Sequence, residues 1–150
     1  MADFIKIEGA GLLSKLLLEA EPKLAKRAVR VSLKLGSKMI LSAIKANAPV
    51  DSGLLKKSLG IVVGKRRKNS YAYHIAHRAK FTSQLAKASK AGKRSYYPSA
   101  VEYGHAGPGG SPRRTPAHSY FNVAVTATKK TAMDAVRDDL YRGVMELARK

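Results

Sequence analysis

Carboxylates are scarce in this chain, cysteine and tryptophan are absent, and long apolar runs do not occur. Each absence removes a class of protein. Without cysteine there is neither a disulfide framework nor a thiolate metal site, and folding in a reducing cytosol is permitted. No apolar stretch approaches the ~20 residues that a membrane-spanning helix needs. The N-terminus, where Asp3 and Glu8 flank a short apolar piece, does not read as a signal peptide. A soluble protein with no membrane partner is expected. The 150 residues suit a single domain, 1–150, and at this length about 68–70% of the unfolded surface can be buried, enough for one core.

The shortage of acids leaves a formal net charge of +19, from 29 Lys and Arg against 10 Asp and Glu. Solubility needs far less, so a polyanionic or acidic partner is implied. Between Ser52 and Met133 the only acid is Glu102, while 16 Lys and Arg lie there. Two clusters stand out: Lys65, Arg66, Arg67 and Lys68, and then Lys87, Lys90, Lys93 and Arg94. Both are candidate contacts to DNA or to an acidic protein.

Periodicity gives the elements. Phe4 to Ile7 reads as a short strand or extended arm, and Leu12, Leu13, Leu16, Leu17 and Ala20 as a brief amphipathic helix ending near Glu21-Pro22. Pro22 suits the first turn of a second helix. In that helix Leu24, Ala28, Val31, Leu35, Met39 and Ala43 recur at three-to-four spacing and predict the core face. Lys23, Lys26, Arg27, Arg30, Lys34, Lys38 and Lys45 form the other side, with almost no acid interleaved.

Pro49 stops this helix, and Asp51 and Gly53 supply turn chemistry. Lys57 to Val63 then reads as a strand with Leu59, Ile61 and Val63 on one face, Gly60 and Gly64 suggesting a bulge or twist. Tyr71 to Ala76 alternates as its hairpin partner, with the Lys65 to Lys68 cluster at the tip. Residues 78–95 read as a mobile basic loop with at most a helical turn near Gln84 to Ala88. Tyr96 to Tyr103 reads as a third strand, Gly104 to Pro116 as a loop, and the residues from Ser119 onward as a long helix; a strand over Val123 to Thr128 is the alternative. The expected fold is α+β, with N-terminal helices, a small antiparallel sheet of three to four strands, and a long C-terminal helix packed on the sheet.

Catalytic chemistry finds little support in these residues. The four histidines, at 74, 77, 105 and 118, have no cysteine partners and one nearby carboxylate, Glu102. On a strand, His74 and His77 would point to opposite faces. The glycine-rich run from Gly104 to Gly110 lacks the Gly-Lys-Ser/Thr ending of a phosphate cradle. No cofactor, no metal and no enzymatic activity are expected; a small basic nuclease lacks a catalytic constellation. Glu102, a lone acid among cations, reads as a structural or interfacial group.

Three segments carry a resemblance. The first is Ala48-Pro49-Val50-Asp51-Ser52-Gly53-Leu54-Leu55-Lys56-Lys57-Ser58-Leu59, the second Tyr97-Pro98-Ser99-Ala100-Val101-Glu102-Tyr103-Gly104, and the third Thr115 to Ala124 with its Pro116-Ala117 and Phe121. In order and spacing they resemble the tailed-bacteriophage head-tail joining, or tail completion, family. The likeness extends over nearly the whole chain, including Ile5 to Gly9. Departures are His105 where the family usually has Thr, His118-Ser119-Tyr120 in place of a more compact Pro-Phe, and an inserted basic stretch from Phe81 to Arg94.

The resemblance implies a non-enzymatic component of the virion, assembled in the host cytoplasm and placed at the head-tail junction. It implies a homo-oligomeric ring, a hexamer, that completes the tail or joins it to the connector at the neck, with tail tube or tail terminator and head connector proteins as partners. It marks Pro49, Asp51, Gly53, Leu54, Ser58, Val101, Glu102, Gly104, Pro116 and Phe121 as structural positions. The alternative reading from composition is a nucleic-acid-binding protein without sequence preference, in which Tyr71, Tyr73, Tyr96 and Tyr97 interleave with cations.

Overall fold

The computed structural model describes residues 22–50, 53–64, 71–87, 97–106 and 114–148. Helix α1 spans Pro22–Asn47. Proline at its first position forfeits an N–H that would have no intrahelical partner there. At the other end Ala48 N–H still reaches the Ile44 carbonyl at 2.9 Å, and the Asn47 side-chain amide donates to the Ala43 carbonyl at 3.0 Å. Pro49 has no N–H to add a further bond, so the helix stops.

The expected turn is present in the backbone of Gly53, whose φ is +69°. It does not launch a strand directly. A one-turn helix, α2 (Leu54–Ser58), comes first, opened by the Lys57 N–H to Gly53 carbonyl bond of 3.0 Å. This turn buries Leu55 and Ser58 on one side, a spacing of three that a strand would send to opposite faces.

Strand β1 (Leu59–Val63) pairs antiparallel with β2 (Tyr73–His77), Leu59 opposite His77 and Val63 opposite Tyr73. The register is unbroken, so Gly60 does not mark a bulge, and the Gly64 N–H to Ala72 carbonyl bond of 2.8 Å continues the ladder. Gly60 has another reason: a Cβ there would run into the Arg78 guanidinium. Nor does the strand bury one clean face, since Leu59 is buried while Val63 is exposed.

A 3₁₀ turn (Ala79–Phe81) leads into α3 (Thr82–Lys87). The first half of the expected loop is thus helical and anchored by the fully buried Leu85; residues 88–96 lie outside the described part.

The expected third strand is a helix, α4 (Tyr97–Tyr103). Pro98 is buried in its first turn, where the missing N–H costs nothing, whereas a proline inside a sheet would break the ladder. Tyr97 and Val101 pack against the core while their neighbours Pro98 and Glu102 are buried as well, adjacent pairs that a helix keeps on one side and a strand would split between two faces. The sheet is consequently two-stranded, not three- to four-stranded. A separate ladder joins β3 (His105–Ala106) to β4 (Arg114–Thr115). Gly104, with φ +73°, lets the backbone turn between α4 and β3; a Cβ there would lie 2.6 Å from the Thr115 carbonyl oxygen.

Helix α5 runs from Tyr120 to Ala148, without the alternative strand at Val123. It lies along α1 and not across the sheet, because two short strands offer no face for a helix of 29 residues. The two helices are antiparallel: Ser32 meets Asp139, Gly36 meets Ala132 and Val136, and Ala28 approaches Gly143. A Cβ on Gly36 would collide with the Val136 side chain and come within 3.2 Å of the Ala132 carbonyl oxygen. The buried face of α1 is accordingly built on Ala25, Ser32, Gly36 and Ile44. This corrects the expected core stripe: Leu24, Val31 and Leu35 are exposed, because close helix contact selects small residues over leucines.

The principal core lies at the C-terminal half of α1, where Ile44, Ala48, Leu55, Leu59, Tyr120 and Ala124 cluster with Ile75, Tyr97, Val101 and Phe121 around them. Glu102, placed on a helix rather than a strand, fixes α4 to this core. Its carboxylate accepts the Phe121 and Asn122 N–H groups at 2.9 and 3.0 Å. These donors lie in the first turn of α5, where N–H groups lack intrahelical acceptors and the helix dipole favours negative charge. Replacing Glu102 with Gln leaves one oxygen to serve two donors and turns an amide N–H₂ toward a backbone N–H. We expect a loss of about 1–3 kcal/mol of stability, seen in calorimetry as a melting temperature lowered by roughly 2–12 °C.

Candidate cationic interface

The two clusters that the sequence singled out fall mostly beyond description. Lys65, Arg66, Arg67, Lys68, Lys90, Lys93 and Arg94 lie outside the described residues; Lys87 closes α3. The described cationic surface is instead α1. Lys23, Lys26, Arg27, Arg30, Lys34 and Lys38 are all exposed, and at about 100° per residue they fall within roughly one third of the helix circumference. No acid occurs anywhere on α1, and the ion pairs among the described residues are confined to α5: Arg137 with Asp134 and Asp138, and Arg142 with Asp139.

The α1 cations therefore repel one another. Neighbours one turn apart, about 6 Å, cost about 0.7 kcal/mol per pair in water before salt screening. Only Arg30 has an aromatic neighbour described, its guanidinium lying 4.6 Å from the centre of the Tyr71 ring just before β2. A polyanion or an acidic protein laid on this face would relieve the repulsion. Next to the cations, on the side facing the end of α5, runs the exposed strip Leu24, Val31 and Leu35. Between Leu24 and Val31 of that strip and Asp139, Arg142, Gly143 and Glu146 lies an open groove of about 420 Å³.

The three segments that carry the resemblance converge elsewhere, with Val101 and Phe121 of the marked positions among the packed residues. Leu55 and Leu59 from the first segment, Tyr97 and Val101 from the second, and Tyr120, Phe121 and Ala124 from the third meet in the principal core. Gly104 lies against the backbone of Thr115 to Ala117, beside Pro116. Pro49 ends α1, Gly53 makes its turn and Leu54 begins α2. Asp51 lies outside the described residues. Together these positions build the junction of α2, α4 and α5 and do not line an open cleft.

One arrangement in that junction superficially resembles a nucleophile and its base. His77 Nδ1 lies 2.6 Å from Ser58 Oγ, and His77 Nε2 lies 3.3 Å from the Tyr120 hydroxyl. The bond directions run the wrong way for activating Ser58. The Ser58 hydroxyl donates to the Leu55 carbonyl at 2.8 Å, so its oxygen accepts from His77 Nδ1–H. Nε2 is then left to accept from Tyr120. Ser58 is also fully buried, out of reach of a substrate. The triad ties β2 to α2 and α5. It was missed in the sequence because nothing in the spacing of residues 58, 77 and 120 links them.

A family comparison can be set beside this geometry. Residues 15–104 match the family model described as "Bacteriophage HK97-gp10, putative tail-component". The chain belongs to this family. The matched span contains α1, the hairpin and α4, and therefore the first two of the three converging segments. The third, at the start of α5, lies beyond it, as does the N-terminal Ile5 to Gly9. No curated protein and no solved structure matches the chain. Membership of the HK97-gp10-like family gives the chain a structural role as a phage tail component, and thus a place in the virion among other virion proteins.

Burial holds the His77 imidazole below its ordinary pKa of 6.5. The unfolded chain therefore takes up this proton at higher pH than the folded one, and stability present above about pH 6.5 is lost as pH falls through the folded-state value. Thermal melts between pH 7.5 and 5 should show a larger fall for the wild type than for His77→Gln, which has no proton to gain. Parallel curves for the two proteins would show that the buried imidazole contributes nothing to acid sensitivity.

Proposed function

We propose that this protein works at the phage head-tail junction as one copy of a ring, a hexamer, that completes the tail or joins it to the head connector, and that it performs no catalysis. Membership of a phage tail-component family carries the reading. The acid-free exposed face of α1 supports a docking role in particular, because a surface of one sign is solvated at a cost that a counter-charged partner removes. Among the described residues, the buried Ser58 and His77 pair holds elements together, which supports a scaffold role. Negative-stain microscopy of the purified protein, with and without its tail tube, tests the proposal. Rings of uniform diameter that cap tube ends are the expected result, and a protein that stays monomeric and leaves tube ends bare would overturn it.

The same α1 face favours a second, compatible reading: contact with the genome as it passes the junction, without sequence preference. Duplex binding should then weaken steeply with salt, since each neutralised phosphate releases counterions. Replacing Lys23, Arg27, Lys34 and Lys38 with Gln should lower the slope of log affinity against log salt by roughly one per lost contact and leave unrelated duplexes equivalent. An unchanged slope would assign the α1 charge to an acidic protein instead.

A further inference from the structure

The hairpin of β1 and β2 leaves its outer backbone edges open. Its bonded pairs follow from the two ends of the ladder, where the Arg78 N–H donates to the Ser58 carbonyl and the Gly64 N–H to the Ala72 carbonyl, each at 2.8 Å. Directly opposed residues of an antiparallel pair alternate between bonded and non-bonded. In the unbroken register, Gly60 with Ala76 and Val62 with His74 are therefore the bonded pairs between those ends, while Ile61 with Ile75 and Val63 with Tyr73 are not. The N–H and C=O groups of these last four residues point away from the hairpin. The sheet ends at two strands, and among the described residues no backbone bond reaches the four from outside.

A soluble chain usually guards such an edge with a lysine, a proline or a bulge. Leu59–Val63 has none of the three, and Val62 and Val63 are 41% and 67% exposed. Alternating N–H and C=O groups are matched by another extended peptide backbone and not by phosphates, so the occupant is a strand. Charge selects whose strand it is. Neither β1 nor β2 contains a lysine, an arginine or an acid, and in a chain of net charge +19 two copies repel least where neither carries charge. The hairpin also offers two different edges, which a head-to-tail contact requires; a two-fold contact would use one edge twice. We propose that β2 of one copy pairs with β1 of the next, Tyr73 and Ile75 of the first exchanging backbone bonds with Ile61 and Val63 of its neighbour, so that the hairpins join into one sheet around the ring. With the strands aligned along the ring axis, rotation between copies preserves strand direction and the junction is antiparallel, like the hairpin itself. This inference rests on the ring reading above and adds the surface that closes the ring.

Residue-resolved amide exchange on the dissociated protein and on assembled rings tests the contact. Before assembly Ile61, Val63, Tyr73 and Ile75 should exchange fast while Gly60, Val62, His74 and Ala76 are protected; in rings the first four should slow by about tenfold or more. Rings in which those four stay fast would overturn the proposal and leave the ring reading standing, whereas a protein that never forms rings would remove both. Slowing at Ile61 and Val63 alone would mean a two-fold β1 contact, and slowing that requires the tail tube would mean a strand of another protein; either outcome overturns the proposal. Val63→Pro gives a second arm, because it deletes an N–H that points outward and leaves the hairpin bonds in place. Its rings should come apart at a protein concentration about tenfold higher or more, with Gly60 and Val62 still protected, while Val63→Ala, which keeps the N–H, assembles like the wild type. Val63→Pro rings as stable as those of the wild type would show that this edge is not the junction.

Discussion

Close contact between α1 and α5 is the constraint from which the rest of the molecule follows. Gly36 admits no Cβ against Val136 and the Ala132 backbone, and Ser32 and Ala28 extend the same seam toward Asp139 and Gly143. Helices this near gain from many short-range contacts but leave little room for large side chains. Leu24, Val31 and Leu35 of α1 are displaced to the edge of the contact, where they remain exposed. The principal cluster of large residues gathers at one end, where α2, β1, β2 and α4 close over the C-terminal half of α1.

That closed end is held by polar groups used with economy. Glu102, the lone carboxylate between Ser52 and Met133, sits at the positive end of α5 and satisfies two donors of its first turn. The Ser58, His77 and Tyr120 chain bridges three elements through a neutral imidazole. Neither arrangement offers a reactive group to solvent. Both fix the relative placement of segments distant in sequence, which an assembly component needs if its docking faces are to keep their shape. The cationic face of α1 lies outside this bonded region, so its charge can be altered without touching the core.

The sequence made several elements legible for identifiable reasons. Pro22 and Pro49 bracket α1, the glycine at 53 has the positive φ that its turn suggested, and the apolar period after Ser119 persists to Ala148. The hairpin partners were also correctly paired, since alternation and a polar tip specify antiparallel neighbours. Tyr96 to Tyr103 was misread because a run containing Tyr, Val and Tyr fits a strand on propensity, while Pro98 carried the better signal and the joint burial of the pairs 97/98 and 101/102 showed only once the core was in place. The buried face of α1 was misplaced because hydrophobic periodicity ranks leucine above glycine and serine, and the seam reverses that order.

By itself the sequence determined the class of the molecule: cysteine-free, strongly basic, α+β, with the motifs of a phage tail component and one acid in the middle of a cationic stretch. Those properties are local or compositional, and they do not depend on which residues meet. The tertiary structure alone decided that Glu102 caps α5, that His77 joins Ser58 to Tyr120, and that the leucine strip of α1 borders a groove while its glycine is buried. Each of these depends on the approach of segments far apart in the chain, and that approach is set by the closest distance two helix backbones can reach.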